Sequence, residues 1–280
     1  MSNHFLSLLL ATFISAGLLS ACETQSNNKN DIWEKEKTFA ADTLLSEDGT
    51  FGNDSEGILR VGFIGGSLTD GQSYYSEEGY VYGGNVWTDA VCQYLTKQFP
   101  NRQVIAHNSG IASSTSAFGA MRIEHTIYDY DPDIVFIEFT VNDRLNDFDK
   151  ELSQKYMESM VRMAQRKEKI PVLIFLYTPF PVDNNTEEYS DWKQGVEWKQ
   201  EIADYYGIGS INVYDYLHIE YEKTDYPTFM NFLESESSYK GNAANGFNVH
   251  GGYEYYAAAI LKAISERPSD LFGHQKIKRE

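Results

Sequence analysis

The chain has 280 residues, 42% hydrophobic and 14% aromatic, enough to bury one substantial core. Its formal net charge of −18 at pH 7 repels phosphate groups before contact, which argues against nucleic acid and anionic lipid surfaces as partners. Neutral substrates stay open.

Residues 5–21 are nearly all apolar or small, too short for a comfortable membrane span, and they lead into Leu19-Ser20-Ala21-Cys22. The stretch resembles a bacterial lipoprotein signal, in which the cysteine after a Leu-x-Ala-type box is acylated and becomes the new N-terminus. It departs from that pattern in having no Lys or Arg before the apolar run, and an uncleaved N-terminal anchor is the alternative. Either route puts the body of the protein in the cell envelope, outside the cytoplasm, held to a membrane at its N-terminus. With Cys22 lipidated, Cys92 is the remaining thiol and no intramolecular disulfide forms; Cys92 reads as a small buried side chain on a helix.

Residues 1–22 are thus a signal segment and 23–57 a polar tether with an N-terminal arm. Trp33, Phe39, Leu44, Leu45 and Phe51 are scattered through that arm at a spacing that fixes no element. Residues 58–280 form the domain proper. Its first strand carries Leu59, Val61, Phe63 and Ile64 and is stopped by Gly65-Gly66, so that Ser67 sits on a sharp turn at the strand's carboxyl end. Open parallel sheets hold their ligands at such ends, because helices cover both faces. Residues 72–84, rich in Gly, Tyr and Ser, read as a surface loop, and 87–99 as a helix with Trp87, Val91, Tyr94 and Leu95 on one face.

A second strand at 103–106 runs into His107-Asn108-Ser109-Gly110-Ile111, and the small residues 113–116 offer N-caps for a helix to about residue 128. Residues 134–139 form the most continuous apolar strand, predicted to be central, and end in Thr140-Val141-Asn142-Asp143. A long helix is predicted from there to about 169. Then come a strand at 171–177, a helix at 188–206, a strand at 208–213, an aromatic-rich irregular stretch at 214–247, and a last helix at 254–266 stopped by Pro268. Strands alternating with helices predict a doubly wound α/β sandwich with right-handed crossovers.

Four stretches now fall on one rim: Gly65-Gly66-Ser67-Leu68, Asn108-Ser109-Gly110, Thr140-Val141-Asn142-Asp143, and Val249-His250 before the last helix. In order and spacing they resemble the SGNH hydrolases, also called GDSL-type esterases or lipases, over about residues 59–264. Residues 118–144 look like a bacterial branch with Gly-Gly-Ser as its first motif. The resemblance implies a three-layer flavodoxin-like sandwich around a mainly parallel five-stranded sheet. It also implies acyl transfer, with Ser67 as nucleophile, His250 as base, and an oxyanion hole from the N–H groups of Ser67 and Gly110 and the side-chain amide of Asn142.

Each assignment has a plainer rival. Gly110 serves equally well as a turn, Asn142-Asp143 as a helix cap, and His250 as a surface histidine, with His107, His125 and His218 as competing bases. The family has Asp three residues before its histidine, where this chain has Phe247. The chain therefore works as a Ser-His dyad, borrows another acceptor such as Asn248 or a backbone carbonyl, or is inactive. No metal set or phosphate loop is recognisable, so no cofactor is implied. The leading expectation is a carboxylic ester hydrolase that removes short acyl groups, above all acetyl, from carbohydrate. The runner-up is an inactive glycan-binding or scaffold lipoprotein on the same fold.

Overall fold

Short apolar runs alternating with amphipathic stretches build a five-stranded parallel sheet in the computed structural model, which describes residues 37–51, 56–71, 74–76, 79–81, 87–179, 186–229, 231–232, 253–273 and 275–278. The strands are β1 (Gly57–Gly65), β2 (Arg102–Gly110), β3 (Ile134–Glu138), β4 (Val172–Tyr177) and β5 (Gly209–Asn212). Their spatial order is β2-β1-β3-β4-β5, the flavodoxin-like arrangement. Every residue of β3 and β4 is buried, as expected of strands covered on both faces. The order reverses between β1 and β3, which opens a crevice beyond their carboxyl ends. In register there, Gly65 lies beside Gly110 on one side and Glu138 on the other.

Helices flank the sheet. α1 (Ser67–Asp70) is a single turn; α2 (Trp87–Gln98) packs on α8 (Tyr253–Glu266). α3 (Ser116–Thr126) packs on α5 (Lys150–Arg166), which packs on α6 (Glu187–Tyr206). Under the crevice, Phe63 stacks on Phe136 at 5.4 Å between ring centroids, and Trp87 stands edge-on to both at 5.3 and 5.8 Å. Such pairs add to the burial of the rings themselves.

Several elements differ from the sequence-based expectation. The long helix after residue 142 is two helices, α4 (Thr140–Leu145) and α5. Asp147 takes a left-handed φ of 53° between them, and the Asp149 carboxylate caps α5 by accepting from Leu152 N at 2.9 Å. α7 (Val213–Tyr221) occupies the start of the stretch read as irregular, capped by Asn212. Pro268 starts a further helix, α9 (Pro268–Phe272), rather than only ending one, since proline fits the first turn. Tyr74–Ser76 and Gly79–Val81 pair antiparallel within the expected loop.

The arm ahead of β1 belongs to the same compact unit as the sheet from Thr38 onward. Thr38–Phe39 pairs in parallel with Lys169–Ile170, Leu44 is fully buried, and Phe51 meets Phe272 and Phe99 edge-to-face at 4.5 and 6.0 Å. These contacts are all distant in sequence, so no local periodicity announces them.

Candidate active site

The end of β1 turns sharply into α1. Gly66 is the N-cap, Asp70 N donates to Gly66 O at 2.9 Å, and Gly71 closes the turn at φ 64°. Ser67 is the first helical residue and is half-buried among buried neighbours. Its N–H has no intrahelical acceptor, because the first N–H groups of a helix point away from the turn. Trp87 Nε1 donates to Leu68 O at 3.0 Å and ties the turn to the aromatic cluster below.

Asn142, in α4, lies directly against this turn. A Cβ on Gly66 would fall 2.1 Å from Asn142 Nδ2, so glycine is what lets the amide approach. Nδ2 donates one proton to Ser114 O at 2.9 Å, and no second acceptor is recorded among the described residues. Gly110 packs against the other side, where a Cβ would lie 2.2 Å from Asp70 N. Its N–H, however, donates to Asn108 Oδ1 at 2.9 Å, while Asn108 Nδ2 donates to Thr69 O at 2.7 Å. The Asn108 side chain thus holds the N–H that the resemblance assigns to an oxyanion. Ser114 Oγ and Ile111 N both donate to Gly65 O, at 2.9 and 3.0 Å, and complete the join between the strand ends.

Beneath the turn is a residue the sequence reading gave no role. Glu138, the last residue of β3, is 1% exposed. Its Oε2 accepts from Gly66 N at 3.3 Å and Thr69 Oγ1 at 3.2 Å, and its Oε1 meets Thr178 Oγ1 at 2.8 Å. Burial pushes its pKa up, and the Asp143 charge pushes the same way against the three hydrogen bonds. The signal was there: one acid in the otherwise apolar Ile134–Glu138 strand, which is buried on both faces.

Asp143 is a cap, but of another helix than its own. Its Oδ1 accepts from Ser116 N at 2.7 Å at the start of α3, and its Oδ2 pairs with Lys199 Nζ of α6 at 3.1 Å. Both side chains are 2% exposed, and Lys199 also donates to Ser153 Oγ of α5 at 2.9 Å. The pair thereby joins α3, α5 and α6 behind Asn142.

His250 and Cys22 lie outside the described residues. The competing histidines are otherwise engaged. His107 stacks on Tyr130 at 4.0 Å and pairs in register with Gly62, three residues and about 10 Å short of the rim. His125 meets Asp129 at 3.0 Å, and His218 meets Glu222 at 3.4 Å. Cys92 is half-buried on α2 rather than fully buried, and burial with the nearby Asp89 charge pushes its thiol up to about 12, leaving it unreactive at neutral pH.

A serine turn, an asparagine amide and a glycine strand end thus meet at the carboxyl end of a flavodoxin-like parallel sheet. Residues 63–230 match the GDSL-like lipase/acylhydrolase family, and the chain belongs to that family. The match takes in Ser67, Gly110 and Asn142 and ends before His250. No curated protein matches the chain. Among solved structures it is similar to an α/β-hydrolase enzyme from the metagenome of Lake Arreo, Spain (18% identity, 76% of this chain and 97% of that one, TM-score 0.57). It is also similar to a two-domain esterase active on acetylated mannans (20% identity, 80% of this chain, 53% of that one, TM-score 0.56). A third is a variant of an acetyl-xylooligosaccharide esterase from Geobacillus (18% identity, 81% of this chain, 100% of that one, TM-score 0.55). At these identities the likeness is one of fold.

Proposed function

We propose that the protein is a serine esterase of the Gly-Gly-Ser branch that removes short acyl groups, acetyl foremost, from carbohydrate in the cell envelope or its surroundings, tethered to the membrane through lipid on Cys22. The observation that carries the acyl-transfer part is the meeting of Ser67 and Asn142 across Gly66, with the Ser67 N–H and an Asn142 amide proton at one rim. Ser67 Oγ attacks the ester carbonyl carbon as His250 takes its proton. Negative charge builds on the carbonyl oxygen, which the two donors stabilise, each by about 3 kcal/mol. Collapse expels the sugar hydroxyl, which receives the proton from His250, and water releases the acid by the same steps in reverse order. Gly110 N–H joins as a third donor when Asn108 releases it. The carbohydrate part is supported by two of the similar structures, whose own substrates are acetylated mannans and acetyl-xylooligosaccharides.

The test uses the full-length chain on 4-nitrophenyl acetate. Wild type is expected to hydrolyse it and Ser67→Ala to lose turnover altogether. A wild type that neither hydrolyses the ester nor reacts with a serine-directed phosphonate would instead be the glycan-binding protein that the Phe247 substitution suggests. Cys22→Ser is expected to release the protein from the membrane fraction, and unchanged retention would sink the lipid anchor.

A further inference from the structure

The nucleophile turn is held from below as well as from the side. We infer that Glu138 is a positioning residue of this site: its buried carboxyl clamps Gly66 N, Thr69 Oγ1 and Thr178 Oγ1 together, and so fixes the peptide that aims the Ser67 N–H and hydroxyl at the substrate. The inference rests on the acyl-transfer reading of Ser67.

The geometry is specific. Gly66 N belongs to the residue just before Ser67, Thr69 is two residues after it, and Thr178 follows the end of β4. One carboxyl therefore spans β1, α1 and the adjoining strand β4 from a position in β3 between them. The approach of β1 to this strand leaves no slack, since a Cβ on Gly65 would lie 2.6 Å from Glu138 O and 2.3 Å from Thr69 Oγ1. The partners recorded for the carboxyl are an amide and two hydroxyls, and Asp143 is the charge whose field it feels. All three groups donate to the carboxyl, Thr178 to Oε1 and Gly66 and Thr69 to Oε2, so both oxygens of this buried side chain are satisfied as acceptors.

A clamp made of hydrogen bonds is reproduced by an amide and destroyed by a methyl group. Glu138→Gln is therefore expected to keep kcat within about threefold of wild type, and Glu138→Ala to lower kcat on the order of 10²-fold with KM little changed, as misplacement of a reacting group does. A second readout needs no activity: exchange of the Gly66 amide proton, followed by NMR, should speed up in Glu138→Ala and stay slow in Glu138→Gln. Equal impairment of both variants, or wild-type kcat in Glu138→Ala, would overturn the inference while Ser67→Ala still upholds the esterase reading. Should Glu138→Ala fail to fold, Thr178→Val removes one arm of the clamp, and an unchanged kcat there would count against it. If wild type hydrolyses no ester, the esterase reading and the positioning role that rests on it both fall, and the amide exchange then reports only whether the clamp exists.

Discussion

Glu138 couples the site to pH through stability. Its pKa in the folded chain is raised by burial above the ordinary value of 4.5. Below pH 4.5 the side chain is neutral in both folded and unfolded chains. As pH rises past that value the unfolded chain releases its proton first, so stability falls until the folded pKa is passed. Glutamine carries no such penalty. The melting temperature of Glu138→Gln relative to wild type should therefore be more favourable at pH 8 than at pH 4. A relative stability that moves the other way would mean that the three donors hold the carboxylate ionised.

Among the elements, the buried pair of Asp143 and Lys199 joins helices that the sequence reading treated separately. Removing one partner leaves an uncompensated charge, so Lys199→Met should destabilise the fold by about 3–5 kcal/mol in urea titrations. Asp143→Asn added to it keeps an acceptor for Ser116 N and removes the charge, and the double variant should recover part of the loss. No recovery would show that the lysine acts through packing instead. The same pair marks where sequence patterns stopped being informative. Strands β1, β3 and β4 are legible because burial on both faces writes apolar runs, and Ser67 and Asn142 are legible because they follow β1 and β3 directly. The break between α4 and α5 is carried by single capping residues inside a helix-like pattern. The Glu138 clamp joins positions 66, 69, 138 and 178, which only the crossovers bring together. Asn108 could likewise be seen as part of a motif, but its bond to the Gly110 N–H is a matter of side-chain rotation that no pattern encodes.

For the molecule as a whole, the arm ahead of β1 is structural. Leu44 is 0% exposed, and its truncation to Ala should cost about 2–5 kcal/mol in chemical denaturation, the range for a buried leucine. A loss within about 0.5 kcal/mol, the range of surface substitutions, would mean the arm is merely laid on the surface. The order of the strands also sets a timetable. Ser67, Gly110 and Asn142 come from the first three strands of the sheet, which are also three neighbours in it, so their part of the crevice is encoded by residue 145. At about 5–20 residues per second, the roughly one hundred residues from Asn142 to His250 take about 5–20 s to synthesise. For the first few seconds of that interval β3, buried along its whole length in the finished fold, has β1 on one side and no β4 on the other. An apolar edge left open during synthesis is a pairing hazard. The growing chain is thus most prone to stick to its neighbours after the serine turn is encoded and before β4 emerges, well ahead of the histidine that would make the turn reactive.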